Sequence, residues 1–176
     1  MKNSTPKRKA SKAAPRSTAE ARLEFVPLPL KVQRILVPVD FSQTSLQALQ
    51  YAVGLSEQFG GRLTLVHVIE PVATPDFAYY PLMMEPEKAI KAAQAQLEAL
   101  SLQKTMPHGV VEKTLVRHGV PYVEITDAAR TLKMDLIVIT THGYTGLKHV
   151  FLGSTAERIV RHAPCPVLTV REKEHE

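Results

Sequence analysis

The residues best placed for chemistry are Thr140-Thr141-His142-Gly143, followed after nine positions by Gly153-Ser154. They lie between an apolar run, Leu136–Thr140, and a segment with helical spacing that opens at Ser154. Glycines that carry a strand end toward a helix N-terminus let backbone approach a ligand closely. The first-turn N–H groups of such a helix lack intrahelical acceptors, and the helix dipole favours an anion there. The chemistry this pattern offers is phosphate binding. It does not by itself imply that a reaction follows.

Signatures of phosphoryl transfer and hydrolysis are missing. The chain has no G-x-x-x-x-G-K-[ST] loop, no G-x-G-x-x-G after the first strand, no H-E-x-x-H and no G-x-S-x-G. His142 has no paired nucleophile or acid and reads as a residue that orients its loop. His67 falls within an apolar run and reads as a satisfied core residue. His149, His162 and His175 show no metal-ligand spacing, so no metal site is expected. Cys165, flanked by Pro164 and Pro166, is the sole cysteine; it cannot form an internal disulfide and reads as a small apolar residue suited to a reducing cytosol. Tyr79-Tyr80 and Met83-Met84 form either a lid or partner surface or ordinary loop packing.

The elements that must position these residues alternate regularly. Apolar strands are predicted at 35–39, 63–69, 110–116, 136–140 and 167–170. Between them lie helices over about 42–59, closed by Gly60-Gly61, over 86–104, from Pro121, and from Ser154. Ile90, Ala93, Leu97 and Leu100 form one apolar stripe, Ile125, Ala128, Ala129 and Leu132 a second, and Ala156, Ile159, Val160 and Ala163 a third. Five strands alternating with four helices predict an α/β fold, a doubly wound five-stranded parallel sheet with helices on both faces. The strand with Glu112, Lys113 and Thr114 belongs at an edge. Ligands of such folds sit beyond the strand C-termini, so Val39-Asp40, Val68-Ile69-Glu70 and Ile139-Thr140 should converge.

The net charge of +5 is unevenly placed: residues 1–22 hold seven of the 22 Lys and Arg but one of the 17 acids, and the remainder is close to neutral. This Lys-, Ser-, Ala- and Pro-rich segment has little to bury, so disorder is expected; a nucleic-acid or membrane contact and a transit peptide are the functional readings that compete with that. Residues 23–33 form a Pro-punctuated lead-in. The expected organisation is therefore a basic extension over 1–30 and one domain over 31–173. No run of about 18 apolar residues and no secretory core segment is present, so neither a membrane span nor export is expected.

The segments ILVPVDFS (35–42), LVHVIE (65–70) and THGYTGLKHVFLGSTAERIVRHAPCPVL (141–168), in this order, resemble the universal stress protein family. The resemblance runs from about residue 34 to residue 171. It implies the strand order 3-2-1-4-5 and, from the family's ATP-binding branch, a loop of Gly, two residues, Gly, nine residues, Gly, then Ser or Thr. Gly143, Gly153 and Ser154 match, while Thr140 replaces the first glycine. If the turn there requires φ > 0, a β-branched residue weakens the site; if the backbone is ordinary strand, it is tolerated. By the same resemblance Pro38, Val39 and Asp40 line the base and ribose, with Asp40 accepting from ribose hydroxyls or an adenine amine. The Val68 backbone reads adenine and Ile139 covers it. Thr141 and His142 line the loop, and the N–H groups of Gly153, Ser154 and Thr155 hold phosphates.

Each of these residues also has a purely structural reading. Asp40 caps the first helix with Ser42, Ser154 and Glu157 form a capping box, and the glycines only turn the chain. The function implied is a cytoplasmic ATP-binding stress-response sensor or adaptor without rapid turnover. Mg²⁺ or Mn²⁺ would bridge the phosphates, and hydrolysis would be slow at most. The implied assembly is a homodimer through strand 167–170, with protein partners unknown. The alternatives are a universal stress protein that works through protein partners alone, a nucleotidyl-transferring enzyme, for which the chain lacks a second domain, and a scaffold for a nucleic-acid-binding tail.

Overall fold

The computed structural model describes residues 31–71, 86–141 and 153–171. The basic extension, the tyrosine and methionine cluster, His142, Gly143, His149 and His175 lie outside them. The elements are β1 (Arg34–Pro38), α1 (Gln43–Phe59), β2 (Arg62–Ile69), α2 (Pro86–Ser101), β3 (Val111–His118), α3 (Pro121–Thr131), β4 (Leu136–Thr140), α4 (Ser154–His162) and β5 (Val167–Val170). All five strands are parallel, in the order β3-β2-β1-β4-β5. This is the doubly wound sheet that the alternation predicts.

Strand alternation sends neighbouring side chains of β1 into different layers. Ile35 and Val37 join Leu63 and Leu65 of β2 beneath Ala48, Leu49 and Ala52 of α1 and Leu97 and Leu100 of α2. Leu36 joins Val66, Ile137 and Ile139 beneath Ile125, Ala128 and Ala129 of α3 and Ala156 and Ile159 of α4. Burial on both faces explains why β1, β2 and β4 read as nearly continuous apolar runs. Two stripe positions depart from expectation. Ile90 is 39% exposed, in a shallow groove that the first turns of α2 share with edge strand β3, and Val160 is 47% exposed, because only Ala156, Ile159 and Ala163 of α4 meet the second core.

The Gly60-Gly61 pair has a distinct reason at each position. Gly60 ends α1 in the left-handed region (φ 68°), its N–H donating to the Ser56 carbonyl. At Gly61 a Cβ would run into the Val32 carbonyl oxygen, so the chain can enter β2 there only without a side chain.

The starts of β1 and β4 are tied together by Asp135. Its carboxylate accepts from the Gln33 N–H (3.2 Å), the Arg34 N–H (2.9 Å) and the Arg34 guanidinium (3.1 Å), and the Asp135 N–H donates to the Arg34 carbonyl (2.8 Å). Burial alone would raise the carboxyl pKa. The Arg34 side chain, the Arg34 N–H, the Arg34 charge and the Gln33 N–H outweigh burial and hold it below its ordinary value. The stabilisation is therefore complete above the unfolded-state pKa of about 4 and is lost as pH falls through the lower folded-state value. Asp135→Ala should cost about 1–2 kcal/mol at pH 7 by urea unfolding, most of it from the backbone donors because the Arg34 side chain is half exposed. The gap between the two proteins should close on acidification below about pH 4.

Candidate functional site

The crevice arises where the strand order reverses. After β1 the chain goes to α1 on one face, and after β4, its neighbour, to α4 on the other, so the two connections separate above the strand ends. A cavity of about 440 Å³ occupies this gap, within the size range of small-molecule sites. Its walls carry Pro38, Val39 and Asp40 from the end of β1, Val68 and Glu70 from the end of β2, and Ile139, Thr140 and Thr141 from the end of β4. Gly153, Ser154 and Thr155 close one side. Every described residue named above from the resemblance thus borders a single cavity; Ile69 does not.

The sequence reading missed Ser45, Val66, His67, Pro121, Ile125 and Ala156, which also line it. Val66 and His67 flank an assigned strand end, which was the available signal. Pro121 and Ile125 come from α3, whose approach to the crevice depends on packing across the sheet and leaves no trace in local sequence. His67 is half-buried rather than a core residue. Its Nδ1 lies 2.7 Å from the Val39 carbonyl oxygen, and its ring packs on Phe41 with centroids 4.8 Å apart.

Thr140 is the last residue of β4, paired in register with Val170, and its φ is not positive. A β-branched residue is at home in that extended backbone, so the substituted position does not demand glycine for conformation. The next residue anchors the loop. The Thr141 N–H donates to the Val170 carbonyl (2.9 Å), and the Thr141 carbonyl accepts from the Gly153 N–H (2.6 Å). Both ends of the glycine-containing loop are therefore held to the sheet.

Three helices begin at this rim, and their caps differ. Ser42 caps α1: its Oγ accepts from the Ser45 N–H (3.1 Å) and donates to Asp40 Oδ1 (2.5 Å), which also accepts the Ser42 N–H (3.0 Å). The capping reading of Asp40 is therefore met, although the residue stays exposed on the cavity wall. In α4 the N-cap is Gly153, without a side-chain cap. Ser154 stands at the first helical position, so Ser154 and Glu157 do not have capping-box spacing, and that reading falls. α3 likewise starts with an uncapped Val120 followed by Pro121. Ser154, Thr155 and Ala156 of the first turn of α4 line the cavity, and first-turn N–H groups have no acceptor within their own helix. Among the described lining residues there is no Lys or Arg; the charged side chains are Asp40 and Glu70.

Nothing among the described residues gathers three metal-ligating side chains, and no described helix is long and apolar enough to cross a membrane. Cys165 is half-buried against the second core, where burial, with the Asp135 charge second, pushes its thiol pKa up. That environment is one of packing and disfavours the thiolate form.

The described residues form a doubly wound α/β domain with a switch-point crevice and helix N-termini at its rim. The family model for universal stress proteins matches residues 31–171, and this chain belongs to that family. A universal stress protein of Methanocaldococcus jannaschii is 35% identical over 149 residues, covering 82% of this chain and 85% of its own. Among solved structures, a universal stress protein from Lactobacillus plantarum superposes with a TM-score of 0.68 at 30% identity, covering 80% of this chain and 99% of that one. A family member from Arabidopsis thaliana with AMP bound gives a TM-score of 0.53 over 80% of this chain and 92% of its own; at 16% identity it shares the fold alone.

The capping difference generates a test. Gly153→Asp supplies the side-chain acceptor α4 lacks, so thermal stability should hold or rise by a few tenths of a kcal/mol. The same carboxylate would stand where an anion would bind, so affinity for a phosphate ligand should fall at least about tenfold. A clear loss of stability would mean those amides are already satisfied.

Proposed function

We propose that this chain binds ATP in the crevice and acts as a dimeric stress-response sensor or adaptor, without rapid turnover. The observation that carries the reading is the uncapped N-terminus of α4 at one end of the cavity, with Asp40 and the β2 end at the other. Phosphates would meet backbone N–H groups, and the base and ribose would meet Val39, Asp40, Val68 and Ile139. A fold-mate that holds AMP is consistent with nucleotide binding. Two carboxylates and no described Lys or Arg on the walls favour a nucleotide whose charge is already reduced by a divalent cation. Mg²⁺ or Mn²⁺ would bridge the phosphates rather than sit in a protein cage. Of the described wall side chains able to take a proton, Asp40 is engaged with Ser42 and His67 with the Val39 carbonyl, which leaves Glu70 and supports slow hydrolysis at most.

One observation favours the alternative, an adaptor that binds no nucleotide: Oδ1 of Asp40 is already committed to the α1 cap. Calorimetric titration of ATP with Mg²⁺ into the wild type and Thr140→Gly decides between them. Because Thr140 lies in ordinary strand, both should bind with micromolar affinity, and the glycine variant should be less stable by about 1 kcal/mol. Binding in the variant alone would identify the Thr140 side chain as an obstruction; binding in neither would leave the adaptor reading.

The dimer is part of the same proposal. Among the described residues β5 pairs only with β4, and Leu168 is 37% exposed. An open edge of this kind is relieved by pairing with a second copy. Light scattering should give twice the chain mass, and Leu168→Lys should shift it toward the monomer. A monomeric wild type would sink the proposal.

A further inference from the structure

We propose that His67 is a positioning residue of the crevice, holding Asp40 in place for ligand discrimination; this rests on the nucleotide reading of the site. His67 engages both chain neighbours of Asp40. On one side its Nδ1 lies 2.7 Å from the Val39 carbonyl oxygen. A carbonyl only accepts, so Nδ1 carries the hydrogen and donates, which fixes the ring's tautomer and orientation. On the other side its ring packs at 4.8 Å and 40° on Phe41.

The backbone needs this support. Regular pairing of β1 with β2 ends at Pro38 opposite Val66, with one more bond from the Val39 N–H to the Val66 carbonyl (2.8 Å). Two residues later Phe41 takes φ 63°, a left-handed conformation that a bulky side chain seldom adopts. Such a residue persists only where its surroundings over-determine it. Here Phe41 packs against the first core and against the His67 ring, and the paired hydrogen bonds from Ser42 to Asp40 Oδ1 hold the turn that follows. Asp40 sits between Val39 and Phe41, so its backbone is held in part by a side chain from the neighbouring strand. His67 belongs to the cavity wall, not to the fully buried layers, so its removal should disturb the lip of the crevice more than the fold.

The test compares ATP with 2′,3′-dideoxy-ATP by calorimetry, with Mg²⁺, for the wild type, Asp40→Asn, His67→Leu and His67→Asn. If Asp40 receives the ribose hydroxyls, the wild type should prefer ATP by about tenfold, and Asp40→Asn should lose that preference. His67→Leu keeps bulk but has no donor, and should lose most of the preference as well. His67→Asn retains an N–H near the position of Nδ1 and should recover part of it. Adding Asp40→Asn to His67→Leu should cost no further preference, because both act through one contact. In the unliganded protein, nitrogen NMR of His67 should show the Nδ1–H tautomer, a signature that loss of packing alone would not produce.

Wild-type binding with the ribose preference intact in His67→Leu, or in Asp40→Asn, would overturn this proposal while leaving the nucleotide reading standing. An Nε2–H tautomer would overturn it as well. Failure of the wild type to bind ATP would sink the nucleotide reading, and this proposal with it.

Discussion

Everything at the site depends on the reversal between β1 and β4. The two strands lie side by side, yet the chain leaves β1 for the face covered by α1 and α2 and leaves β4 for the face covered by α3 and α4. Neither connection can cover the space between the strand ends, since each must return over its own face with the right-handed sense that parallel crossovers require. The opening is therefore a consequence of burying both faces of one parallel sheet. Asp135 secures the opposite end of the same strand pair, next to the Ile35–Leu136 and Leu36–Ile137 pairs that join β1 to β4.

The polar groups around the opening divide into satisfied and unsatisfied sets. At α1 a local network of Asp40, Ser42, Thr44 and Ser45 satisfies the helix start without any ligand. At α4 a glycine cap offers no side-chain acceptor to the first turn, whose residues line the cavity. The crevice is thus bordered by one helix start with a side-chain cap and two, at α3 and α4, without one, and its described carboxylates are Asp40 and Glu70.

Thr141 and Gly153, the described ends of the connection from β4 to α4, are joined to each other and to the sheet by backbone hydrogen bonds. The Gly153 N–H reaches the Thr141 carbonyl, and the Thr141 N–H reaches the Val170 carbonyl of edge strand β5. Hydrogen-bonded peptides in series polarise one another, so the α4 start and the outer edge of the sheet share one short chain of bonds. The proposed ligand end of the crevice and the proposed pairing edge are thus structural neighbours through Thr141.

The order and type of all nine elements were legible in the sequence, because two-sided burial makes parallel strands continuous apolar runs and the helices between them keep a 3.6-residue period. Strand ends were legible too, which is why Val39, Asp40, Val68, Ile139 and Thr140 could be named together; the strand order itself came from the family resemblance. Helix extents were less so: α2 ends at Ser101, short of Lys104, and Ile90 and Val160 are exposed despite lying at stripe positions. Periodicity reports which residues share a face, not how far the neighbouring layer extends. Only the tertiary structure decided that Thr140 rests in ordinary strand, that Gly153 and not Ser154 caps α4, and that His67 grips Val39 and Phe41 on either side of Asp40. The physical reason is common to all three. Patterning acts through residues close in sequence, whereas a cap's register, a backbone dihedral at a strand end and a contact 28 residues away are set by how separate segments meet.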